Sequence, residues 1–368
     1  MIINRLVTNK KLFMPVGIPS SSLSTGIFPG FTGAGFGGSP QLIANYGTIA
    51  SFPFTLSNSL GLLNLIMRNA STGIPEFWYS SDNYTFTDSG IAGSSGISNA
   101  WENINGYYVI GGTGGNSFTK DGLTWATGLA TPATPYALCW NGTYYVMGAH
   151  TNSVWRQTTL GGAWSAQFGI FSSATDAIYN LYVDNTLTYA YAFVFNTTTN
   201  IFRVAQSTVA NMFTVAGWTT IYTFPTTYGG FSLAPGQLPG FRILNGYIYY
   251  LLNGTQSTNF ATVVFRAPLS NLANWQTCFT TMVAARRVAD IAFVSGRGYL
   301  LIDNMGFLYS SPESDGVNFA MSTLTIPSQS TVSGVSGTYC AICAGINALN
   351  NKFITVIGVK NVIQSWAL

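Results

Sequence analysis

Seven times along this chain a short apolar run ends in a polar or cationic residue, too far apart for any one helix or strand to explain. The copies are Phe77-Trp78-Tyr79, Ser117-Phe118-Thr119, Val154-Trp155-Arg156, Ile201-Phe202-Arg203, Val264-Phe265-Arg266, Phe307-Leu308-Tyr309 and Val362-Ile363-Gln364. Taking the last residue of each as equivalent, the separations are 40, 37, 47, 63, 43 and 55 residues, with a mean of 47.5. A four-stranded propeller blade occupies about 40–50 residues, so the period favours a propeller over a short-repeat solenoid.

A second landmark, a turn, precedes six of the seven runs. Asn-Gly lies between an apolar stretch and a Tyr-rich one at Asn105-Gly106, Asn141-Gly142 and Asn245-Gly246. Asn-Gly between alternating apolar runs is the strongest short-range hairpin signal, because both residues tolerate positive φ. Related turns occur at Asp184-Asn185, Gly296-Arg297-Gly298 and Asn350-Asn351. Hairpin and following strand together describe most of a blade. The fold class expected is therefore all-β: a β-propeller of four-stranded antiparallel blades. Seven blades fit the period best, with six or eight left open by the irregular stretch from Asn58 to Arg68.

After the repeated strands come turns that end in an aromatic residue. Thr119-Lys120-Asp121-Gly122-Leu123-Thr124-Trp125 is the fullest, with weaker versions at Asp82 to Phe86 and Asp315 to Phe319, and eroded ones ending at Trp164, Phe213 and Trp275. These turns resemble the Asp-box of sialidase-like propellers. The resemblance implies a structural role for Asp82, Phe86, Asp121, Gly122, Thr124, Trp125, Asp315, Gly316 and Phe319. The Asp accepts main-chain N–H bonds, Gly takes positive φ, and the aromatic ring fills the gap between neighbouring sheets.

Only 7% of the residues are charged while 15% are aromatic, and the chain contains 40 Gly. Helical surface faces need more Lys and Glu than this, so helix should be scarce. The net charge of +3 is scattered, which argues against a nucleic-acid partner. No apolar run reaches the roughly 18 residues of a membrane span. The chain is thus expected to be soluble, without membrane insertion.

Chemistry is sparsely provided for. Cys340 and Cys343 have zinc-like spacing but no second pair, and His150 is the sole histidine, so no metal or other cofactor is expected. A nucleophile–histidine scheme would have to use His150, and no motif surrounds a candidate nucleophile. Phe241-Arg242-Ile243-Leu244 faintly resembles the Phe-Arg-Ile-Pro motif of sialidases, but it has Leu for Pro and lies in mid-chain. No catalytic residues are expected. Arg156, Arg203 and Arg266 recur at one repeat position, which suits joints between blades better than a site. The adjacent pair Arg286 and Arg287 is the candidate for surface recognition of an anionic or protein partner.

Residues 17–40 are rich in Gly, Ser and Pro and carry no charge. The organisation expected is an extended arm over 1–42, used for assembly, and a propeller over 43–368. A segment within Ile43 to Phe54 would complete the last blade and cover its edge. The start of the chain lacks the apolar core of a secretory signal, while the Asn-, Thr- and Tyr-rich body has an extracellular character. Together these point to a non-enzymatic component of a virus particle, located in the virion, which resembles bacteriophage tail or capsid propellers. Its partners would be other virion proteins through the arm, a host surface glycan or protein, and further copies of itself in a symmetric assembly. A lectin-like propeller is the alternative, and a sialidase-like glycosidase ranks last.

Overall fold

The computed structural model describes residues 41–43, 56–57, 62–68, 75–81, 87–92, 97–112, 114–234, 240–256, 259–281, 288–295, 298–303, 307–325, 339–346, 352–358 and 363–367. Among these residues the chain is an all-β propeller whose strands form seven antiparallel sheets, numbered I to VII in chain order. Sheet I contains Leu56–Ser57, Leu63–Arg68, Pro75–Ser80 and Thr87–Ala92, and sheet II contains Ile97–Ile104, Tyr107–Gly112, Gly115–Thr119 and Ala126–Thr127. Sheet III contains Pro135–Trp140, Tyr145–Ala149, Ser153–Gln157 and Phe168–Gly169. Sheet IV contains Asp176–Val183, Tyr189–Asn196, Ile201–Thr208 and Thr219–Thr223. Sheet VI contains Val288–Val294, Gly298–Asp303, Phe307–Ser311 and Ala320–Thr325.

Six of the seven sheets are four-stranded. Sheet V has six strands: Thr227–Tyr228, Phe231–Ala234, Gly240–Leu244, Tyr247–Gln256, Asn259–Pro268 and Gln276–Thr281. Its two central strands are ten residues long. The place of the first strand is divided, with Gly240–Leu244 pairing one half of Tyr247–Gln256 and Phe231–Ala234 the other. This enlargement accounts for the longest repeat separation, from Arg203 to Arg266.

Sheet VII closes the ring. It comprises Tyr339–Ile346, Lys352–Gly358 and Ile363–Ala367, and its fourth strand is Gln41–Ile43, with Gln41 opposite Ser365. The completing strand therefore begins just before the stretch expected for it. Three residues are too few to display an alternating pattern, so the sequence had no local signal for the boundary. Of the arm expected over 1–42, residues 1–40 lie outside the described residues, while Gln41 and Leu42 belong to sheet VII.

First strands of successive sheets face one another around the ring. Pro135–Trp140 contacts Ile97–Ile104 and Asp176–Val183, Val288–Val294 contacts Gly240–Leu244 and Tyr339–Ile346, and Leu56–Ser57 meets Tyr339–Ile346. The core lies between the sheets. Separate apolar clusters join II to III, III to IV, IV to V and V to VI. This explains why second strands such as Tyr145–Ala149 and Gly298–Asp303 are buried at every residue, since each is covered on both faces. A strand buried on both faces needs an almost continuous apolar run, and Tyr-Val-Met-Gly-Ala supplies one. Among the described residues no helix is long and apolar enough to cross a membrane.

Candidate functional site

Asn-Gly turns precede the second strands of sheets II, III and V and reach the next sheet. Asn105 and Gly106 have φ of 51° and 77°, and Asn245 and Gly246 have 47° and 81°, the left-handed pair of a type I′ hairpin. The Asn105 side-chain amide donates to the Tyr145 hydroxyl at 3.1 Å, and Asn245 donates to Tyr299 at the same distance. Tyr145 and Tyr299 are equivalent, near the start of the second strand in sheets III and VI. One Asn thus shapes its own turn and ties two sheets together.

The turn from Thr119 to Trp125 is a closed set of local bonds. The Thr119 hydroxyl donates to Asp121 Oδ1 at 2.9 Å and accepts from the Gly122 main-chain N–H at 3.0 Å. Asp121 Oδ1 also accepts the N–H groups of Leu123 and Thr124, at 2.8 and 2.7 Å. Those two main-chain bonds hold the Asp121 carboxyl down at about 2, with Thr124 the larger cause. Gly122 has φ of 76°, and a Cβ there would lie 2.9 Å from the Asn64 side chain of sheet I. The turn therefore needs glycine for its conformation and for its close approach to the neighbouring sheet.

Trp125 completes that approach. Its ring stacks on Phe77 of sheet I with centroids 4.1 Å apart and planes 9° from parallel. The same position works alike at other joints. Phe213 of sheet IV meets Phe168 of sheet III at 5.3 Å, Trp275 of sheet V meets Phe224 of sheet IV at 5.0 Å, and Phe319 of sheet VI meets Phe279 of sheet V at 6.0 Å. Asp315 repeats the bonding of Asp121, accepting from Val317 and Asn318 N–H groups. Where the Asp is missing, other groups substitute: Asn271 accepts from the Ala273 N–H, and Trp275 Nε1 donates to the Leu272 carbonyl.

The recurring arginines serve the same joints. Arg266 donates to the Asp315 carbonyl of sheet VI at 2.6 Å and lies 4.3 Å from the Tyr247 ring. Arg156 sits over Tyr144, Phe168 and the Phe213 ring of sheet IV. Arg203 instead holds Asp176 within its own sheet, at 2.7 Å. Arg242, the residue behind the faint sialidase likeness, makes a two-point ion pair with buried Asp290 of sheet VI, at 2.9 and 2.8 Å. That guanidinium is bound up in a joint.

His150 stacks on Tyr136 at 3.3 Å and lies 4.4 Å from Tyr179 of sheet IV. Loss of hydration against these rings lowers its pKa to about 4, which leaves a neutral imidazole at neutral pH. Burial pushes the Cys139 thiol up to about 12, far from a reactive thiolate. Among the described residues no group of His, Cys, Asp and Glu could hold a metal ion. Asp82, Phe86, Arg286 and Arg287 lie outside the described residues.

Exposed apolar side chains gather at one end of sheet IV, a feature without a sequence motif. Leu187 is 45% exposed, Tyr189 40% and Val215 47%. The first two lie at the hairpin between the first and second strands, and Val215 lies in the connection between the third and fourth. In a meander both connections emerge at the same end of the sheet, and the Val209 N–H to Thr188 carbonyl bond joins them here. Leu187 has φ of 56°, a left-handed conformation that is uncommon for a bulky residue.

No family model matches this sequence. No curated protein matches it either. Solved structures do match in shape. The C-terminal WD40 domain of Sif2 superposes with a TM-score of 0.52 at 11% identity, over 89% of this chain and 98% of that one. A chain of the mitotic checkpoint complex gives 0.51 at 11% identity, over 90% and 94%. At such identity the likeness shows the fold. These structures overturn the virus-particle expectation, because they are WD40 propellers and not bacteriophage tail or capsid proteins. The specific virion partners lose their support with it. The uncharged, aromatic composition that suggested a displayed particle protein has another cause: rings fill the wedges between sheets.

Proposed function

We propose that this protein is a non-enzymatic propeller scaffold that binds another protein. The observation that carries this reading is the apolar end of sheet IV, where Leu187, Tyr189 and Val215 stand in solvent on two adjoining connections. Isolated exposed apolar residues are ordinary, but a cluster at one end of one sheet is a feature of protein-binding surfaces. The arginines and aspartates of the joints support the non-enzymatic part, being already engaged in ion pairs, main-chain bonds and ring contacts.

Two finer points belong to the same reading. The ring has seven blades, supported by seven consecutive sheets of which II to VI carry the described packing. The turns at Asp121 and Asp315 are Asp-box turns, supported by their shared pattern of carboxylate-to-N–H bonds.

The test is isolation of the full chain from the cells that make it, followed by sizing and mass analysis. A partner protein in fixed ratio is expected, and it should be lost when Leu187→Asp and Val215→Asp are combined, with the melting temperature unchanged. A chain that runs alone, or a complex indifferent to both substitutions, contradicts the reading.

A further inference from the structure

Arg156 is held differently from the other arginines of the joints. Arg203 and Arg242 are paired with aspartates, and Arg266 donates to the Asp315 carbonyl and the Tyr249 hydroxyl. The Arg156 guanidinium instead lies against three rings, with its central carbon 4.4 Å from the Tyr144 centroid and 4.9 Å from those of Phe168 and Phe213. Among the described residues that guanidinium donates no hydrogen bond. The side chain is half-buried, so solvent still reaches it. Ring contacts hold the cation through its charge and leave the five N–H donors of the fork unspent. The rings are themselves fixed, because all three pack on the apolar cluster joining sheets III and IV. An ordinary surface arginine loses side-chain freedom when it meets a partner; this one has lost it already.

The guanidinium adjoins the apolar end of sheet IV. Phe213 and Val215 are two residues apart on one connection. A Cβ at Gly142 would lie 2.9 Å from Leu187 Cδ1, and the turn that contains Gly142 ends at Tyr144, whose N–H donates to Asn141 Oδ1 at 2.7 Å. Asn141 Nδ2 in turn donates to Met212 Sδ, next to Phe213. Three connections, 141–144, 184–188 and 209–218, thus converge beside Arg156. The one acid on them, Asp184, accepts from the Thr188 N–H within its own hairpin.

None of the three connections carries a cation, so Arg156 matches a single negative charge. A carboxylate accepts two parallel N–H bonds from such a fork, whereas a phosphate dianion would keep an unmatched charge. An uncharged partner covering this end would strip water from the donors and return nothing for it.

We propose that Arg156 is the polar anchor of the protein-binding surface at the end of sheet IV, taking an Asp or Glu side chain of a partner segment whose neighbouring aliphatic residues cover Leu187 and Val215. This rests on the reading of that end as a protein-binding surface and adds the charge that its partner must carry.

The experiment pans displayed random peptides on the full chain and measures the enriched ones by calorimetry, as synthetic peptides with acetylated and amidated ends. Peptides with an acidic residue within about three positions of aliphatic ones should be enriched. Replacing that acid by its amide should weaken binding to the unaltered protein about tenfold or more. Arg156→Gln should cost a similar factor, and both changes together little more than either, as expected of groups that meet. Arg156→Lys keeps the charge without the fork and should recover only part of the loss. Enrichment of nothing, enrichment of peptides without an acid, an amide replacement without effect, or two costs that simply add would each overturn the proposal. Peptides that lose affinity on Leu187→Ser with Val215→Ser but not on Arg156→Gln would overturn it and leave the protein-binding reading standing. The complex expected from cells is a separate measurement, so the two readings fail separately.

Discussion

The joint between sheets IV and V and the joint between sheets V and VI hold one sheet from its two faces, with different chemistry. On the IV side Phe193, Phe202, Phe224, Tyr250 and Trp275 form a continuous ring cluster, with Phe193 stacked on Tyr250 at 5.1 Å and Phe202 on Phe224 at 4.9 Å. On the VI side the apolar cluster is supplemented by polar ties: Arg242 pairs with Asp290, Arg266 reaches the Asp315 carbonyl, and Tyr249 donates to the Gly316 carbonyl at 3.0 Å. Ring packing is tolerant of direction and draws on buried area; the polar joint fixes register and depends on every partner being present. A propeller needs its wedges filled, and either means does so.

Substitutions should separate the two joints. Phe224 is 1% exposed among five rings, so Phe224→Ala opens a cavity and should cost about 3–5 kcal/mol in chemical denaturation. An effect below about 1 kcal/mol would mean that the ring cluster is not what holds sheets IV and V. At the polar joint Arg242→Met leaves the buried Asp290 carboxylate without its ion pair. The expected cost is about 2 kcal/mol, less than for a fully buried pair because a quarter of the Arg242 side chain meets solvent. If this joint is electrostatic, Arg242→Lys should keep part of the stability that Arg242→Met loses; equal costs would point to lost packing.

Smaller effects belong to the turns. Asp121→Ala removes the acceptor of two main-chain N–H groups and should cost about 1 kcal/mol in thermal denaturation. Because the native carboxyl titrates near 2 and its ordinary value is 3.8, the contribution is complete above 3.8 and lost as the pH falls towards 2. The variant should lack that acid limb of the stability profile. His150 gives the smallest effect, in a separate window. Its native pKa of about 4 lies below the ordinary 6.5, so the unfolded chain takes up the proton first. Stability is complete above about 6.5 and declines as the pH falls towards 4, and His150→Phe should flatten that decline.

Much of this architecture was legible in the residues themselves. Each of Tyr79, Thr119, Arg156, Arg203, Arg266, Tyr309 and Gln364 lies on the third strand of its sheet, counted from the ring's inside. The period could be read because each third strand repeats the same neighbours. Asn105 and Asn245 were legible as turns through their glycines, but their bonds to Tyr145 and Tyr299 were not, since those partners lie 40 and 54 residues away. The extra strands of sheet V left only a long separation as their trace. The apolar end of sheet IV had no sequence signature: Leu, Tyr and Val are ordinary core residues, and only the position of a turn exposes them. The inference to a virus particle failed at a different level, where composition was read as a habitat when it records how wedges are filled.

The repeated turns are joints between sheets, and the stack of Trp125 on Phe77 tests this most directly. A double-mutant cycle with Phe77→Leu, Trp125→Leu and the pair, followed by chemical denaturation, isolates the contact from the burial of each ring. A stacked aromatic pair at 4.1 Å should show a coupling energy of about 0.5–1.5 kcal/mol. Costs that simply add, with no coupling, would mean that Trp125 stabilises only its own sheet and that the turn is not an inter-sheet device.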